Sequence, residues 1–390
     1  MIKQRVVVLG GGTFQMGLIA ELKKIGFEVH VVTNRPKESG ASMADQCHNF
    51  GFTDTDRVTS LMRDLGAVQV LTAGSELALE IQSRVQAALA LRGHSPAFIR
   101  QFRNKTDYKI DLARHCSDCV PNTLLYKSKD SELLKNFDDI FPAGVAVKPA
   151  VGGGSRAAAL CFSAEEVYSH LKQYRLKEAI IEEYLSGQEY GGDFLVRDGQ
   201  LLFESCTLKS VNASLVPKSH LMLEQLQHNA GRNTFFKRII QSLSLADGVY
   251  NADIIESDGQ FKLIDLSPRI GGNCLPDLVK ASTGVNEWRF MAEMLLDESV
   301  SPWPIQPFVP QGVFMIGASE AGQIESLTDD HPFGPSVKEV FWRTMPGDSV
   351  EAFTEGAKHL GYVMYQARTD TELLALQQKI EDFEWFSLVD

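Results

Sequence analysis

The 390-residue sequence predicts an α/β protein in which a doubly wound, parallel-sheet domain is followed by a two-part α+β clamp and a small C-terminal α+β region. Three observations support this fold class. Apolar strands alternate with amphipathic helices through the first hundred residues, which is the pattern of a parallel sheet covered on both faces. Strands then predominate from 189 to 270. A proline-rich stretch at 302–310 precedes a last block of short strands and one or two helices.

The elements follow from apolar runs, helical periodicity and glycine stops. In the first hundred residues strands are predicted at 5–9, 28–33 and 68–72, and helices at 16–25, 56–65 and 75–91. Beyond the turn signal at 93–96, helices are predicted at 105–113, 130–137, 163–173, 232–243 and 285–296, and strands at 144–148 and 179–184.

Composition excludes several classes of protein. A net charge of −12 without a basic run argues against nucleic-acid binding, which relies on a positive surface. No apolar run is long enough for a membrane helix, and the N-terminus lacks the features of a signal peptide, so we expect a cytoplasmic protein. The six cysteines are too scattered for a disulfide framework, and Cys116 and Cys119 are expected to be reduced thiols.

The first glycine cluster, VVVLGGGTFQMG at 6–17, fits a dinucleotide fingerprint poorly. Gly10 and Gly12 match GxGxxG, but the third position is Gln15, and the second strand ends at 33–35 without a carboxylate for a ribose. We interpret the cluster as a structural turn whose free N–H groups can touch an anionic substrate. An NAD site is the alternative, and it would make the protein an oxidoreductase.

The second glycine cluster, AVKPAVGGGSR at 146–156, is a better phosphate site. A strand delivers Lys148, and four residues later the chain leaves backbone N–H groups free to converge on phosphate oxygens. The order is not that of a P-loop, in which the lysine follows the glycines. A flexible surface loop is the alternative. The loop residues are Gly152, Gly153, Gly154 and Ser155.

Two acidic segments complete the set of candidates. In the first, IIEEYLSGQEY, acids beside the end of an apolar strand can accept hydrogen bonds from an adenine amine and ribose hydroxyls, although solvated acids are the simpler interpretation.

In the second acidic segment, Asp253 and Asp265 flank the turn signal at 258–259. A three-residue loop, 258–260, would set them side by side on one face, whereas a two-residue loop would separate them. Paired carboxylates suit Mg²⁺, and Ser267 and Arg269 follow.

The order of these pieces resembles the ATP-grasp superfamily, and in particular its carboxylate–amine ligases, which include amino-acid ligases. The resemblance covers about 100–300 directly. It implies a Rossmann-like domain at 1–100, a small lid subdomain at 101–180, a large subdomain at 181–300 and an accessory domain at 301–390.

The resemblance also implies roles for single residues. ATP phosphates would be contacted by Lys105 and Lys148, under the 152–155 loop. The adenine and ribose would be read by Glu182, Glu183, Tyr184, Leu185 and Glu189. One or two Mg²⁺ ions, for which Mn²⁺ can substitute, would be held by Asp253, Asp265 and Ser267. The family commonly has glutamate and asparagine where this chain has Asp265 and Ser267, so one of the two ions is expected to bind weakly or through water.

The implied reaction is ATP-dependent activation of a small carboxylate, an amino acid or similar, as an acylphosphate, followed by amide formation with an amine. Arg269 and Lys148 would be the catalytic residues. Substrate-cavity candidates are Lys209, Ser210, Lys218 and His220. The partners are small molecules, with no nucleic acid or membrane, and the chain is expected to form a homodimer. The alternatives are carboxylation of the biotin-carboxylase or purine-pathway type, and an ATP-binding protein without catalysis.

Overall fold

The computed structural model of the protein describes residues 3–128, 134–296, 303 and 306–389. The first domain contains a four-stranded parallel sheet in the order β3-β2-β1-β4. Its elements are β1 Arg5–Leu9, α1 Thr13–Lys24, β2 Glu28–Thr33, α2 Ser39–Met43, β3 Gln46–Asn49, α3 Thr55–Leu65, β4 Gln69–Leu71, α4 Glu76–Ala88 and α5 Pro96–Arg103.

The next segment forms a small antiparallel sheet in the order β5-β8-β6-β7, with α8 packed on it. Its elements are α6 Lys105–His115, β5 Thr123–Lys127, α7 Phe137–Ile140, β6 Val145–Pro149, β7 Ala159–Cys161, α8 Ala164–Gln173 and β8 Glu178–Glu183. Helix α6 does not pack on this small sheet. It packs on the large sheet that follows, because Tyr108 and Leu112 lie in the core of that sheet. The predicted helix at 130–137 lies partly outside the described residues.

The largest sheet follows the order β14-β13-β9-β11-β12-β15-β19-β17, and β10 pairs with β9. Its first elements are β9 Gln188–Arg197, β10 Gln200–Glu204, β11 Thr207–Val211, β12 Pro217–Met222, α9 Ala230–Leu243, β13 Gly248–Ser257, β14 Gln260–Ser267, α10 Leu275–Thr283 and α11 Glu287–Leu295. The C-terminal elements are β15 Gln311–Ile316, β16 Gly322–Leu327, β17 Val337–Trp342, β18 Ser349–Val350, β19 Gly361–Gln366, α12 Asp370–Glu381 and β20 Phe386–Leu388.

The C-terminal region shares its main sheet with the preceding subdomain. Strand β12 pairs with β15 through Ser219–Phe314 and the neighbouring positions, so one sheet crosses the predicted boundary at 300/301. A separate small sheet, β18-β16-β20, carries the remaining strands. The region that the sequence suggested as a separate accessory domain is therefore built onto the large sheet.

The β13–β14 hairpin reaches its predicted pairing by a different route. Its loop has two residues, because Ser257 pairs with Gln260. Asp258 and Gly259 both have positive φ, at +51° and +73°, which suits a two-residue hairpin turn. The predicted three-residue loop is wrong. A β-bulge at Ile264 adds the one residue that the short loop lacks, and Asp253 still lies opposite Asp265.

Two further expectations from the sequence are revised. Cys116 and Cys119 are joined as a disulfide rather than free as two thiols. Helices α2, α5 and α10 and strand β3 were not predicted, since they are short and, in the case of β3, largely polar. Within the described residues, no helix has the length and apolar character needed to span a membrane.

Candidate functional site

A cavity of about 290 Å³ lies between the small antiparallel sheet and the large sheet. It collects most of the candidate residues that the sequence singled out. Those that line it are Lys105, Lys148, Gly152, Gly153, Gly154, Ser155, Glu182, Glu183, Tyr184, Leu185, Glu189, Asp253 and Asp265. They come from both sheets and from α6, so the cavity exists only because the chain folds the two sheets against each other.

Helix α6 delivers a buried lysine to the floor of the cavity. The Lys105 Nζ lies 2.6 Å from both carboxylate oxygens of Asp265, and the Tyr108 hydroxyl donates to the same carboxylate at 3.0 Å. Burial alone would lower the pKa of Lys105, but the Asp265 and Glu76 carboxylates hold it above its ordinary value. Burial would raise the pKa of Asp265, and the neighbouring lysines outweigh it and lower it strongly. Both groups are therefore charged at neutral pH.

The Glu182 carboxylate is buried between two lysines. It pairs with Lys109 from α6 and, at 2.9 Å, with Lys148 from β6. Burial opposes its charge, but these two lysines lower its pKa. Burial outweighs the same contact at Lys109, whose pKa falls to about 8. The resemblance implied that Glu182 reads adenine; in the structure its two carboxylate oxygens accept from Lys109 and Lys148.

A second carboxylate–lysine group lies on the large sheet, next to the Lys105–Asp265 pair. The Lys209 Nζ lies 2.9 Å from Asp253 and 3.5 Å from Glu189. Lys209 is buried, and these two carboxylates raise its pKa against the effect of burial. The acids of the two groups, Asp253 and Asp265, are partners across β13 and β14 and both face the cavity.

Two half-buried carboxylates on one face fit a magnesium ion. Mg²⁺ is usually bound by one or two carboxylates and completes its shell with water and substrate phosphates. Asp253 on β13 and Asp265 on β14 supply such a pair, and both line the cavity that Lys105 and Lys148 also line. Within the described part of the chain, neither aspartate belongs to a group of three acidic, histidine or cysteine ligand atoms that all lie within 4.8 Å of one another.

The glycine loop is fastened to the C-terminal region. The Gly356 N–H donates to the Gly154 carbonyl at 3.1 Å, and the Ser155 hydroxyl donates to the Leu215 carbonyl at 2.7 Å. Gly152 has φ of +133°, which an L-residue rarely adopts. The loop therefore covers one side of the cavity in a conformation that depends on glycine.

The segment after β8 forms the far wall of the cavity. The Tyr184 N–H donates to the Gly144 carbonyl, and Tyr184 and Leu185 line the cavity beyond it. The Glu183 side chain is turned toward Asn122 and Lys262, so it contributes its backbone and aliphatic part.

Ser267 and Arg269 lie beside the main cavity rather than in its lining. Both face Glu76, which begins α4 in the first domain. The Ser267 hydroxyl donates to the Glu76 carboxylate at 3.2 Å, and the Arg269 guanidinium lies 3.8 Å from it. The buried Arg269 Nε has no acceptor among the described residues. Arg269 thus retains capacity for an anionic ligand.

Several residues of this site were not found from the sequence. Tyr108 and Lys109 share a helix face with Lys105 at i+3 and i+4, and that spacing is the signal that could have found them. Glu76 carries no such signal, since it comes from another domain. Of the four predicted substrate-cavity residues, Lys209 lines the cavity. Ser210 pairs with Ser219, Lys218 with Glu381 and His220 with Thr207.

Two antiparallel sheets that enclose one cavity, preceded by a parallel-sheet domain, define the ATP-grasp fold, and the sequence-based expectation of that fold is confirmed. No protein-family model and no curated protein matches the sequence. Solved structures do match it over the whole chain.

The L-amino acid ligase of Bacillus licheniformis is similar with a TM-score of 0.84 at 17% identity, over 100% of this chain and 99% of the other. The phosphoribosylglycinamide synthetase of Anaerococcus prevotii has a TM-score of 0.76 at 20% identity, over 100% of both chains. The biotin carboxylase domain of the Hydrogenobacter thermophilus 2-oxoglutarate carboxylase, solved with MgADP and bicarbonate, has a TM-score of 0.78 at 16% identity, over 100% and 92%. At such identities these likenesses establish the fold.

Proposed function

We propose that the protein is an ATP-dependent carboxylate–amine ligase that releases ADP and phosphate. One observation carries the proposal. A single cavity brings together two lysines that suit phosphates, a glycine loop that covers them, and two carboxylates that suit Mg²⁺. The fold is shared with an L-amino acid ligase and with a phosphoribosylglycinamide synthetase.

ATP would lie with its adenine against Leu185 and the backbone of 183–185. Glu189, on β9 and in the cavity lining, would accept hydrogen bonds from the ribose. The triphosphate would extend toward Lys105 and Lys148 under the 152–155 loop. The phosphates would then replace Asp265 as the partner of Lys105. The freed carboxylate would become available to the metal, so that nucleotide and metal bind together.

Asp253 and Asp265 would hold Mg²⁺, with Mn²⁺ as a substitute. Bound there, the ion would neutralise the phosphate charge that develops during transfer. Ser267 is a weaker oxygen donor than an amide, and its hydroxyl is already engaged with Glu76. We therefore expect one firmly bound ion, and a second that depends on water and phosphate.

In the reaction, an oxygen of the substrate carboxylate bonds to the γ-phosphorus of ATP while the bond to the bridging oxygen breaks, giving an acylphosphate and ADP. The amine nitrogen then attacks the acyl carbon, phosphate leaves with the C–O bonding pair, and the amine loses a proton. Catalysis of this kind needs positioning and charge neutralisation rather than a side-chain nucleophile. Arg269, with its unpartnered Nε, would bind the acylphosphate, and Lys148 the transferred group.

The test is a release assay with purified protein, ATP and Mg²⁺, offered pairs of carboxylates and amines, with products identified by mass spectrometry. Amine-dependent release of ADP with an amide product is expected. Bicarbonate-dependent release without an amine would instead indicate carboxylation, the chemistry of the biotin carboxylase neighbour. Nucleotide binding without turnover across the panel would contradict an enzymatic role.

We further propose a cytoplasmic homodimer, and light scattering of the same preparation tests its oligomeric state.

A further inference from the structure

A second cavity, of about 240 Å³, lies where the first domain meets α10 and the C-terminal strands. It begins at the first glycine cluster. Strand β1 lies between β2 and β4, so the chain order reverses beside it, and ligands of open α/β sheets bind in the crevice at the carboxyl ends of such strands. Thr13 and Phe14, directly after Gly12, form one wall of the cavity. The loop therefore contributes to a pocket, although it lacks a dinucleotide signature.

The walls of this cavity are aromatic and apolar. Phe14, Trp288 from α11 and Tyr362 from β19 all line the cavity, together with four thioether side chains. The thioethers are those of Met16, Met43, Met315 and Met364. Aromatic faces attract organic cations, and methionines adapt to varied apolar shapes. The walls thus suit a compact ligand with an apolar body.

The polar groups in this cavity are acidic or neutral. Asp277 accepts a hydrogen bond from the Trp288 indole at 3.3 Å, and the Tyr362 hydroxyl donates to Glu339, an exposed acid at the rim. His359 is 6% exposed, and neither ring nitrogen has a partner among the described residues. Burial lowers the pKa of His359 to about 3, so the ring is neutral.

No lysine or arginine belongs to the described lining of this cavity. Arg343 lies close enough to His359 to affect its pKa, but it donates to the Ala357 carbonyl and does not line the space. Burial raises the pKa of Asp277, the Trp288 indole and the nearby Lys280 oppose that rise, and Glu339 adds to it by a smaller amount. The described lining thus holds two carboxyl groups, Asp277 and Glu339, and no lysine or arginine, which favours a positively charged ligand over an anion.

The cavity adjoins the proposed reaction centre. Phe14 packs against Gly74, which comes two residues before Glu76, and its ring lies near Gly272. Gly271, also in the lining, follows Arg269 by two residues, a span of at most about 7 Å. The cavity therefore lies next to the chain segment that carries Arg269.

We propose that this cavity binds the amine substrate, and that it selects a small organic cation with an apolar or aromatic body over phosphorylated substrates. The inference rests on the proposed ligase function and names its substrate class. A ribonucleotide amine, such as the one bound to the Aspergillus clavatus neighbour, carries a phosphate. The acidic lining would repel that phosphate and would offer it no cation.

The experiment measures binding by isothermal titration calorimetry without nucleotide, so that it does not depend on turnover. The probes are phenethylamine, 2-phenylethanol, 3-phenylpropionate and ribose 5-phosphate. Phenethylamine is expected to bind about tenfold more tightly than the alcohol. The two anions are expected to bind more weakly still. Glu339→Gln and Asp277→Asn should each remove most of the preference for the amine, whereas Glu325→Gln, on exposed β16, should not change it.

Equal or tighter binding of either anion would overturn the proposal, as would a preference for the amine that survives both cavity variants. Absence of binding by all four probes at millimolar concentration would also overturn it. If phenethylamine binds as expected but no pair of substrates releases ADP, the cavity assignment stands and the proposed ligase function fails.

Discussion

Asp253 and Asp265 face one cavity because a two-residue turn and a one-residue bulge compensate each other. With the turn alone, Asp265 would point to the opposite face of the sheet. The bulge at Ile264 restores the pairing and also brings Asp265 onto Lys105. Bulges near active sites commonly redirect a side chain in this way. A local irregularity of β14 thus creates the paired carboxylates on which the proposed chemistry depends.

Asp265→Asn tests this pair directly. The amide keeps the shape of the side chain but loses the charge that would hold Mg²⁺ and balance Lys105. We expect ADP release to fall by about 100-fold or more, by analogy with the loss of other groups that stabilise a transition state. Mn²⁺ binding in the presence of ADP, followed by electron paramagnetic resonance, should weaken in parallel. The control is Asp258→Asn in the exposed hairpin turn, which should behave as the wild type. Full activity of Asp265→Asn would contradict the metal assignment.

Glu182→Gln should remove the charge that pairs with both Lys109 and Lys148. Removal of one partner of a buried ion pair costs about 3 kcal/mol, because the remaining charge is left in a poor environment. Without the carboxylate, the pKa of Lys109 should fall below its present value of about 8. A lysine whose pKa is lowered by folding must lose its proton to fold, so its cost is largest at neutral pH and shrinks as the pH approaches the unfolded value.

The measurements for this variant are thermal unfolding from pH 7 to pH 9.5 and the KM for ATP. The deficit in stability should shrink across that range, and the KM should rise because Lys148 loses its partner. Glu178→Gln, at the exposed start of the same strand, is the matched control. A deficit that is independent of pH would show that Lys109 does not titrate as argued.

The sequence predicts the regular parts of this fold well and the cross-domain contacts poorly. The strands Arg5–Leu9 and Glu28–Thr33 have the bounds that the sequence predicts, because buried parallel strands are rich in apolar residues. The pairing of Lys109 with Glu182 joins positions 73 residues apart, and Glu76 reaches Ser267 from another domain. Such contacts depend on how the sheets meet, and no local pattern encodes that. The bulge at Ile264 could not be predicted from the sequence either, since isoleucine is an ordinary strand-forming residue.

Glu287→Gln should stabilise the protein at alkaline pH. The Glu287 carboxyl is fully buried against Asp193, and neither of its oxygens has a donor among the described residues. Burial first, and then the Asp193 charge, raise its pKa well above the usual range. An acid whose pKa is raised by folding must take up a proton to fold, so stability is lost as the pH rises above its unfolded value. The loss is about 1.4 kcal/mol per pH unit until the folded pKa is reached.

Glutamine needs no proton, and its amide can donate to Asp193, which already accepts from Asn251 and from the Gly271 N–H. The advantage of Glu287→Gln in Tm over the wild type should therefore grow from pH 5 to pH 9. Glu293→Gln, on the same helix but paired with Arg289, should show no such growth. A constant offset between Glu287→Gln and the wild type would contradict the raised pKa.

Gly152→Ala should impair the loop over the nucleotide without harming the fold. A Cβ at this position meets no atom within 4 Å, so its effect comes from the backbone alone. With φ at +133°, an alanine is strained by roughly 1–3 kcal/mol, and the loop can relieve that strain by leaving its closed position. We expect kcat/KM for ATP to fall about tenfold in the ADP-release assay, with Tm unchanged. Gly51→Ala, where φ is ordinary and the nearest atom is 3.7 Å away, should have no effect on either quantity. Wild-type kinetics in Gly152→Ala would mean that closure of this loop does not limit catalysis.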